Sequence, residues 1–505
     1  MLATEGIIMF ENISTIRELL SLTSEHYGEK PVFSYRKDGK MHSITYSEFS
    51  KRVAAVAKLL IYKGITNSRV SIVSENSYYC LVWSYAIPMS GNVLVMLDNM
   101  ATTQEKSYMV EHSDTTCLVY SAFNQSFCDY ITEHNKSVIH TICIEADTEA
   151  YQSYETEVIL PNTDGTELSY LFYTSGTTGK PKGVMQSQIN LLRTSLYTSY
   201  SLDMKDTIFL MLPIHHILPF ANQVLLSMYC GGNIFISAGL KHILKEMQEA
   251  RPYCVFLVPA VLAYFDKIIE TTAQEQIQIN SLNHFIARKQ AFNQLFGGNL
   301  RYIICGGGPL NIEIAKHMQE LDVMVLNGYG LTETAGSITV NPYDDNRLGS
   351  LGRINVNSEA KVKDGELMFK SPYLFLGYYK DPEATEQAFD GKWFLTGDLG
   401  CIEDNYVYLS GRKKNLIVLP NGKNISPEEL EFEFMKIDEI KEIIVCEQNG
   451  KLTAKIYSDC EEGIIRKKIN ELNKKLASYK QIESVVFYDN EFPKTASKKI
   501  KRGEI

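Results

Sequence analysis

The residues best suited to chemistry lie at positions 173–183, Tyr-Thr-Ser-Gly-Thr-Thr-Gly-Lys-Pro-Lys-Gly. Besides Tyr173, these eleven residues hold three glycines, two lysines and four hydroxyls, on Thr174, Ser175, Thr177 and Thr178. Gly176, Gly179 and Gly183 leave backbone N–H groups open, because no Cβ shields them or forbids positive φ. Lys180 and Lys182 add positive charge that amides cannot supply. One ligand class uses all three devices, a polyphosphate. A flexible polar loop would share the glycines and hydroxyls but has no need of two lysines around a proline. A Walker-type loop is disfavoured, since it requires Gly-Lys-Ser/Thr leading into a helix and Pro181 follows Lys180 here.

Four further stretches hold candidate groups. Residues 209–217, Phe-Leu-Met-Leu-Pro-Ile-His-His-Ile, read as a strand ending in two adjacent histidines, most often structural hydrogen-bonders. Residues 302–305 read as a strand running into Gly306, Gly307 and Gly308. Such a triplet at the C-terminal end of a parallel strand suits a flat ligand on the backbone, or a plain turn. Residues 323–333 read as a strand ending in a loop that presents Asn327, Gly328, Tyr329, Gly330, Thr332 and Glu333. Thr396, Gly397 and Asp398 read as a turn, where an aspartate is usually a cap or an Asx turn.

The elements that position these groups follow an α/β pattern. Residues 46–63 carry Phe49, Val53, Val56, Leu59 and Leu60 at helical spacing, and residues 70–73 and 117–120 are short strand-like runs. Helical segments between such runs imply parallel βαβ units. Residues 168–172 read as the strand before the phosphate loop and 188–202 as a helix after it. Residues 239–265 read as helix, strand and helix. A length of 505 residues implies two or more domains, and 45% hydrophobic with 22% charged residues are values of a soluble globular protein.

A net charge of −10 argues against nucleic acid as a partner. From Gly411 onward there are 19 Lys/Arg against 16 Asp/Glu, a net of +3 that leaves −13 for the remainder. A mildly basic tail on an acidic body suits a part that closes over an anion, or a solvated surface. The ten cysteines are scattered without a Cys-x-x-Cys pair, as in reduced thiols rather than a zinc site or disulfide frame. The longest apolar run, residues 254–265, is too short to cross a bilayer and contains Pro259. No signal peptide is apparent at the start, and cytoplasm is the expected location.

Taken together, the 173–183 loop, the Asn-Gly-Tyr-Gly-Leu-Thr-Glu run, Thr-Gly-Asp and Gly411-Arg-Lys-Lys-Asn resemble the adenylate-forming superfamily. That superfamily comprises acyl-CoA synthetases, peptide-synthetase adenylation domains and luciferases. The wording of residues 241–259 and 419–430 is similar to its fatty-acyl branch, and the likeness extends from about Ile13 to the end. The resemblance implies a large N-terminal domain of βαβ-type layered sheets, residues 1–411, and a small mobile α+β C-terminal domain, residues 412–505.

It also implies roles. Residues 174–182 bind the phosphates of ATP, Gly306, Gly307 and Gly308 floor the adenine, and Tyr329 stacks on it. Thr332 bonds a phosphate, and Glu333 holds Mg²⁺, a hard cation that prefers oxygen ligands. Asp398 grips the ribose hydroxyls, with Arg412 as a further ribose or phosphate contact. His216 lies beside the substrate carboxylate, while the role of His215 is open. Lys414 is the hinge. The final run Phe492-Pro-Lys-Thr-Ala-Ser-Lys-Lys-Ile places the catalytic lysine at Lys499, although Lys498 stands where the family has glycine and leaves a one-residue ambiguity.

The implied reaction joins a carboxylate to the α-phosphate of ATP, expels pyrophosphate and passes the acyl group to a thiol. Both reactants are anions, so Lys499, Thr174 and the loop cations would act by positioning and charge stabilisation. The leading expectation is an acyl-CoA synthetase using ATP, Mg²⁺ and CoA on a medium- or long-chain fatty acid. A stand-alone adenylation enzyme that loads carrier-protein phosphopantetheine shares the first step. An amino-acid substrate usually brings an aspartate for its ammonium; the sequence offers none to assign, since Asn327 precedes the Gly-Tyr-Gly run and His216 carries no fixed negative charge. A catalytically silent nucleotide-binding module is the alternative of another class, disfavoured by Glu333, Asp398 and Lys499. A monomer or homodimer is expected.

Overall fold

Three N-terminal helices begin with the same local chemistry. Thr15, Thr45 and Thr102 each accept the N–H of a glutamate three residues on, and Glu18, Glu48 and Glu105 bond back to the cap. Each such capping box satisfies two otherwise orphaned donors and contributes about 1 kcal/mol. These caps punctuate the helix–strand alternation that the sequence pattern predicts. The computed structural model describes residues 10–146, 157–174, 180–202, 204–239, 241–280, 283–418, 424–494 and 500–505.

The chain divides into two units, residues 1–359 with 370–389, and residues 360–369 with 390–505. In the first, a seven-stranded sheet runs Gly377–Tyr378, Lys182–Ser187, Leu168–Thr174, Val93–Met96, Arg69–Val73, Cys117–Tyr120, His140–Cys143. Its inner pairs are parallel, as expected for βαβ units, whereas Leu168–Thr174 and Lys182–Ser187 form an antiparallel hairpin. A second sheet of this unit orders Gly336–Val340, Met324–Leu331, Tyr302–Cys305, Cys254–Leu257, Thr207–Leu210, Asn233–Ile236, Pro31–Lys37, Lys40–Thr45.

The earliest strands depart from the expected βαβ pattern. Pro31–Lys37 and Lys40–Thr45 form an antiparallel hairpin, and the first of them pairs with Asn233–Ile236 in the second sheet. Asp38 and Gly39, both at positive φ, make this tight reversal, which leaves no room for a helix between the strands.

The main core of this unit is built on large aromatics, among them Trp83, Tyr46, Tyr85, Tyr170 and Phe220, all fully buried. The ten cysteines are free thiols, as the scattered spacing predicts. No helix among the described residues is long and apolar enough to cross a membrane.

The second unit carries the antiparallel strands Trp393–Glu403 and Tyr406–Arg412 and a three-stranded sheet, Glu442–Gln448, Lys451–Tyr457 and Ser484–Tyr488. Helices Pro427–Phe434 and Glu462–Asn473 cover a separate core of Ile425, Leu430, Phe434, Val445, Ile456 and Ile469. Residues 390–411 group by packing with the C-terminal part.

Candidate active site

The glycine-rich run expected to bind phosphate joins the two strands of the Leu168–Thr174/Lys182–Ser187 hairpin, whose register sets Thr174 opposite Lys182 and Tyr173 opposite Gly183. Pro181 is followed by a strand, in keeping with the argument against a Walker helix. Ser175, Gly176, Thr177, Thr178 and Gly179 lie outside the described residues, whereas Thr174, Lys180 and Lys182 lie within them. Lys180 Nζ stands 5.6 Å from the centre of the Tyr108 ring, and Lys182 Nζ 4.9 Å from that of Tyr378. Asp381 lies 3.7 Å from Lys182 Nζ.

The run from Asn327 to Glu333 departs from the expected loop. The strand Met324–Leu331 continues through Gly328, Tyr329 and Gly330, because those residues pair antiparallel with Gly336–Val340. Gly330 is required there: a Cβ would meet the Gly336 carbonyl oxygen at 1.9 Å. Thr332 and Glu333 occupy the following single 3₁₀ turn, Thr332–Thr334. Thr334 fastens the turn by accepting from Leu331 N and donating to the Gly336 carbonyl.

Neighbouring segments hold this turn in place. Gln186 Nε2 donates to Thr332 O at 2.7 Å, Phe375 N donates to Glu333 O at 2.8 Å, and the Tyr378 hydroxyl donates to Glu333 Oε1 at 2.8 Å. Burial, then the Glu333 charge, raises the Tyr378 pKa well above the ordinary phenol value, so it remains a donor across physiological pH. The carboxylate of Glu333 and the hydroxyl of Thr332 are oxygen groups of the kind that suit Mg²⁺.

Gly306, Gly307 and Gly308 follow the strand Tyr302–Cys305 as expected, with Gly307 at φ +80°. Cys305 pairs with Asn327, so the two glycine stretches run side by side, and a Cβ on Gly306 would come within 3.4 Å of Gly328 O. The backbones of these two stretches therefore lie close together.

The histidines sit elsewhere than the strand end predicted for them. The strand Thr207–Leu210 stops at Leu210, and His215 and His216 lie in a turn closed by His216 N donating to Pro213 O at 3.1 Å. Asn76 braces that turn, donating to Leu212 O at 2.8 Å and accepting from Ile214 N at 3.0 Å. An eight-residue π-helix, Leu218–Leu225, follows, a rare form often found at functional sites. Its Asn222 accepts from Ser337 N at 2.9 Å, Gln223 donates to Phe209 O at 2.8 Å, and Ser195 Oγ donates to Ala221 O at 2.8 Å.

Asp98, just past the strand Val93–Met96, places Oδ1 3.1 Å from His215 Nε2. Burial would raise its carboxyl pKa, but the hydrogen bond and charge of His215, with lesser help from Met100 N and His216, lower it to about 2. Asp98, Asn76, Gln186 and Tyr378 did not emerge from the sequence reading. Only Asp98 left a signal there, as a lone acid closing the apolar run 93–97.

In the second unit Asp398 sits within the long strand Trp393–Glu403 rather than in a turn. Gly397, at φ +70°, and a register shift between Leu399 and Gly400 give the strand the local bend that the sequence suggests as a turn. Asp398 is 2% exposed, and Arg412 Nε lies 2.8 Å from its Oδ1 across the strand pair. Glu366 completes the arrangement, accepting from Gly397 N at 2.9 Å and pairing with Lys413 at 2.7 Å. Lys414 lies on the 3₁₀ turn Lys413–Asn415 directly after the strand. Lys498 and Lys499 lie outside the described residues.

Residues 21–379 match the AMP-binding enzyme family. The chain belongs to this family. Among the members of known name, a long-chain-fatty-acid–CoA ligase of Mycobacterium bovis is 26% identical over 466 residues, 81% of this chain and 77% of the relative. A 2-succinylbenzoate–CoA ligase of Listeria innocua is 26% identical over 485 residues, covering 91% and 93%. The fold is likewise that of solved AMP-binding enzymes. The o-succinylbenzoate CoA synthetase of Bacillus subtilis, solved with its acyl-adenylate intermediate, superposes at a TM-score of 0.79 over 96% of this chain and 97% of that one, at 22% identity.

Proposed function

We propose that this member of the AMP-binding enzyme family is an AMP-forming acid–CoA ligase, which activates a carboxylic acid as its acyl adenylate and transfers the acyl group to CoA. The observation that carries this reading is the position of Tyr378. Its ring faces Lys182 of the phosphate hairpin while its hydroxyl bonds Glu333. A phosphate-binding cation and an oxygen ligand for Mg²⁺ thereby share one scaffold, as polyphosphate chemistry requires. The named relatives are also CoA ligases.

In this reading Thr174, Lys180 and Lys182 hold the phosphates, and Tyr329 with the Gly306–308 backbone receives the adenine. Asp398 accepts the ribose hydroxyls, and Arg412, 2.8 Å from that buried carboxylate, orients it and is a further ribose or phosphate contact. Thr332 bonds a phosphate, and Glu333 is the residue to hold Mg²⁺, which supplies charge neutralisation on the phosphate oxygens when bound. His216 meets the acid's carboxylate. Lys499 offsets the repulsion between carboxylate and α-phosphate as they approach. Thiol attack on the adenylate needs Lys499 withdrawn, and a pivot at Lys414 would achieve this.

A fatty acid is the proposed acid, on the likeness to the fatty-acyl branch. Relatives of similar identity are named for a long-chain fatty acid and for 2-succinylbenzoate, so a medium-chain or aromatic acid belongs in the test. The experiment is ATP–pyrophosphate exchange with purified protein across acetate, medium and long fatty acids, aryl acids and amino acids. Exchange with one class names the acid, and addition of CoA, then of a carrier protein, identifies the thiol. Absence of acid-dependent exchange in a protein that binds ATP would overturn the ligase reading.

A further inference from the structure

The turn after the strand Thr207–Leu210 meets the end of the strand Val93–Met96 at three groups of metal-binding type. One ligand atom from each of Asp98, His215 and His216 lies within 4.8 Å of the other two. Asp98 Oδ1 and His215 Nε2 are 3.1 Å apart, and the two imidazole rings are 4.3 Å apart with an interplanar angle of 56°. Bond lengths of about 2.0–2.2 Å around a tetrahedral ion put its ligand atoms roughly 3.3 Å from one another. The Asp98–His215 separation is close to that value, and rotation of the His216 side chain would bring in the third.

We propose that Asp98, His215 and His216 form a binding site for a divalent transition-metal ion of the zinc class. Two imidazoles and one carboxylate are the borderline donors that Zn²⁺, Co²⁺ and Cu²⁺ favour over Mg²⁺ and Ca²⁺, which take oxygen sets. A hydrogen-bonded Asp–His pair explains two of these residues but does not require a second imidazole at this distance. The backbone is fixed for the purpose: Asn76 brackets residues 212–214 on one side, and the π-helix begins at Leu218 on the other. Preorganisation of this kind lowers the cost of gathering ligands around an ion. Three protein ligands leave at least one coordination position open. The site is distinct from the oxygen groups at Glu333, and it shares His216 with the proposed contact to the acid's carboxylate.

Titration of the full-length protein with Co²⁺, in the absence of nucleotide, tests the proposal by visible absorption. One equivalent should develop the intense d–d bands of a four- or five-coordinate site, and Zn²⁺ should abolish them. Asp98→Asn and His215→Gln should each weaken Co²⁺ at least about tenfold, whereas Glu333→Gln should leave it unchanged. Faint octahedral-type bands, wild-type affinity in both variants, or a thiolate charge-transfer band pointing to cysteine would overturn the assignment. Should the variants fail to fold, Cu²⁺ bound to the wild-type chain must show coupling to two imidazole nitrogens in its paramagnetic resonance spectrum. A spectrum without such coupling would equally sink it.

Discussion

The Tyr378 hydroxyl donates a 2.8 Å hydrogen bond to Glu333 Oε1, fixing the orientation of the carboxylate proposed to hold Mg²⁺. Removal of that bond in Tyr378→Phe should raise the Mg²⁺ concentration needed for half-maximal pyrophosphate exchange by about tenfold, the usual effect of losing a partner behind a metal ligand. Melting temperature should move little, since the ring still packs under Lys182. An unchanged Mg²⁺ requirement would show that Glu333 is oriented by other means.

Asp398 is buried and faces Arg412 Nε at 2.8 Å. Hydrogen bonds to a charged acceptor contribute about 1.5–3 kcal/mol, so Asp398→Asn should raise KM for ATP by roughly ten- to a hundredfold. The decisive measurement uses 2′-deoxy-ATP. The wild type should discriminate against it, and the variant should have lost most of that preference. A variant that still discriminates would remove Asp398 from the ribose.

The proposed division of labour between Lys499 and Lys414 separates the two half-reactions. Lys499→Ala should abolish pyrophosphate exchange, by at least about a hundredfold, yet retain thioester formation from supplied acyl-AMP. Lys498→Ala should retain both. Lys414→Pro, by fixing φ at the pivot, should keep exchange and lose the thioester step. Assay of both half-reactions in all three proteins tests the register and the pivot together.

Gly330 has backbone where a side chain would go, the Gly336 carbonyl oxygen at 1.9 Å. Gly330→Ala must therefore spread the two strands that flank Glu333. A destabilisation of about 1–3 kcal/mol and a loss of exchange are expected, read by urea denaturation and the exchange assay. Full activity with native stability would contradict the described pairing.

Glu431 supplies a pH dependence in the C-terminal unit. Burial raises its pKa from 4.5 to about 7, against the opposing charge of Arg502 and the Val445 N–H bond. The folded state therefore holds the proton more tightly than the unfolded chain. The resulting stability is present below about pH 4.5 and is lost as pH rises through about 7. Glu431→Gln should abolish this component, so its stability relative to wild type should rise by roughly 2 kcal/mol between about pH 5 and pH 7.5. Hydrogen exchange of the strand Glu442–Gln448 at the two pH values provides the measurement.

Much of this was legible in the sequence because local chemistry determined it. The runs 117–120 and 302–305 are strands at those boundaries, and the strand predicted ahead of the glycine-rich run is present as Leu168–Thr174. What escaped depended on partners far away in the chain. Tyr329, between two glycines, and Asp398, after one, read as loop and turn, yet antiparallel neighbours carry both into strands. The Asp98–His215 pair joins residues more than a hundred positions apart and leaves no periodicity to find. Tyr378 looked like one of many tyrosines until its hydroxyl reached Glu333.

The π-helix Leu218–Leu225 winds with i→i+5 bonds, so it accommodates more chain per turn than an α-helix would. At that pitch Asn222 and Gln223 are anchored to Ser337 and Phe209. Removal of a single residue would let the segment relax to ordinary α geometry and disturb the side-chain positions that those anchors hold. Its apolar side chains can be exchanged for others of similar volume at modest cost. In any redesign of this enzyme, the length of this segment is thus the rigid variable and its spelling the permissive one.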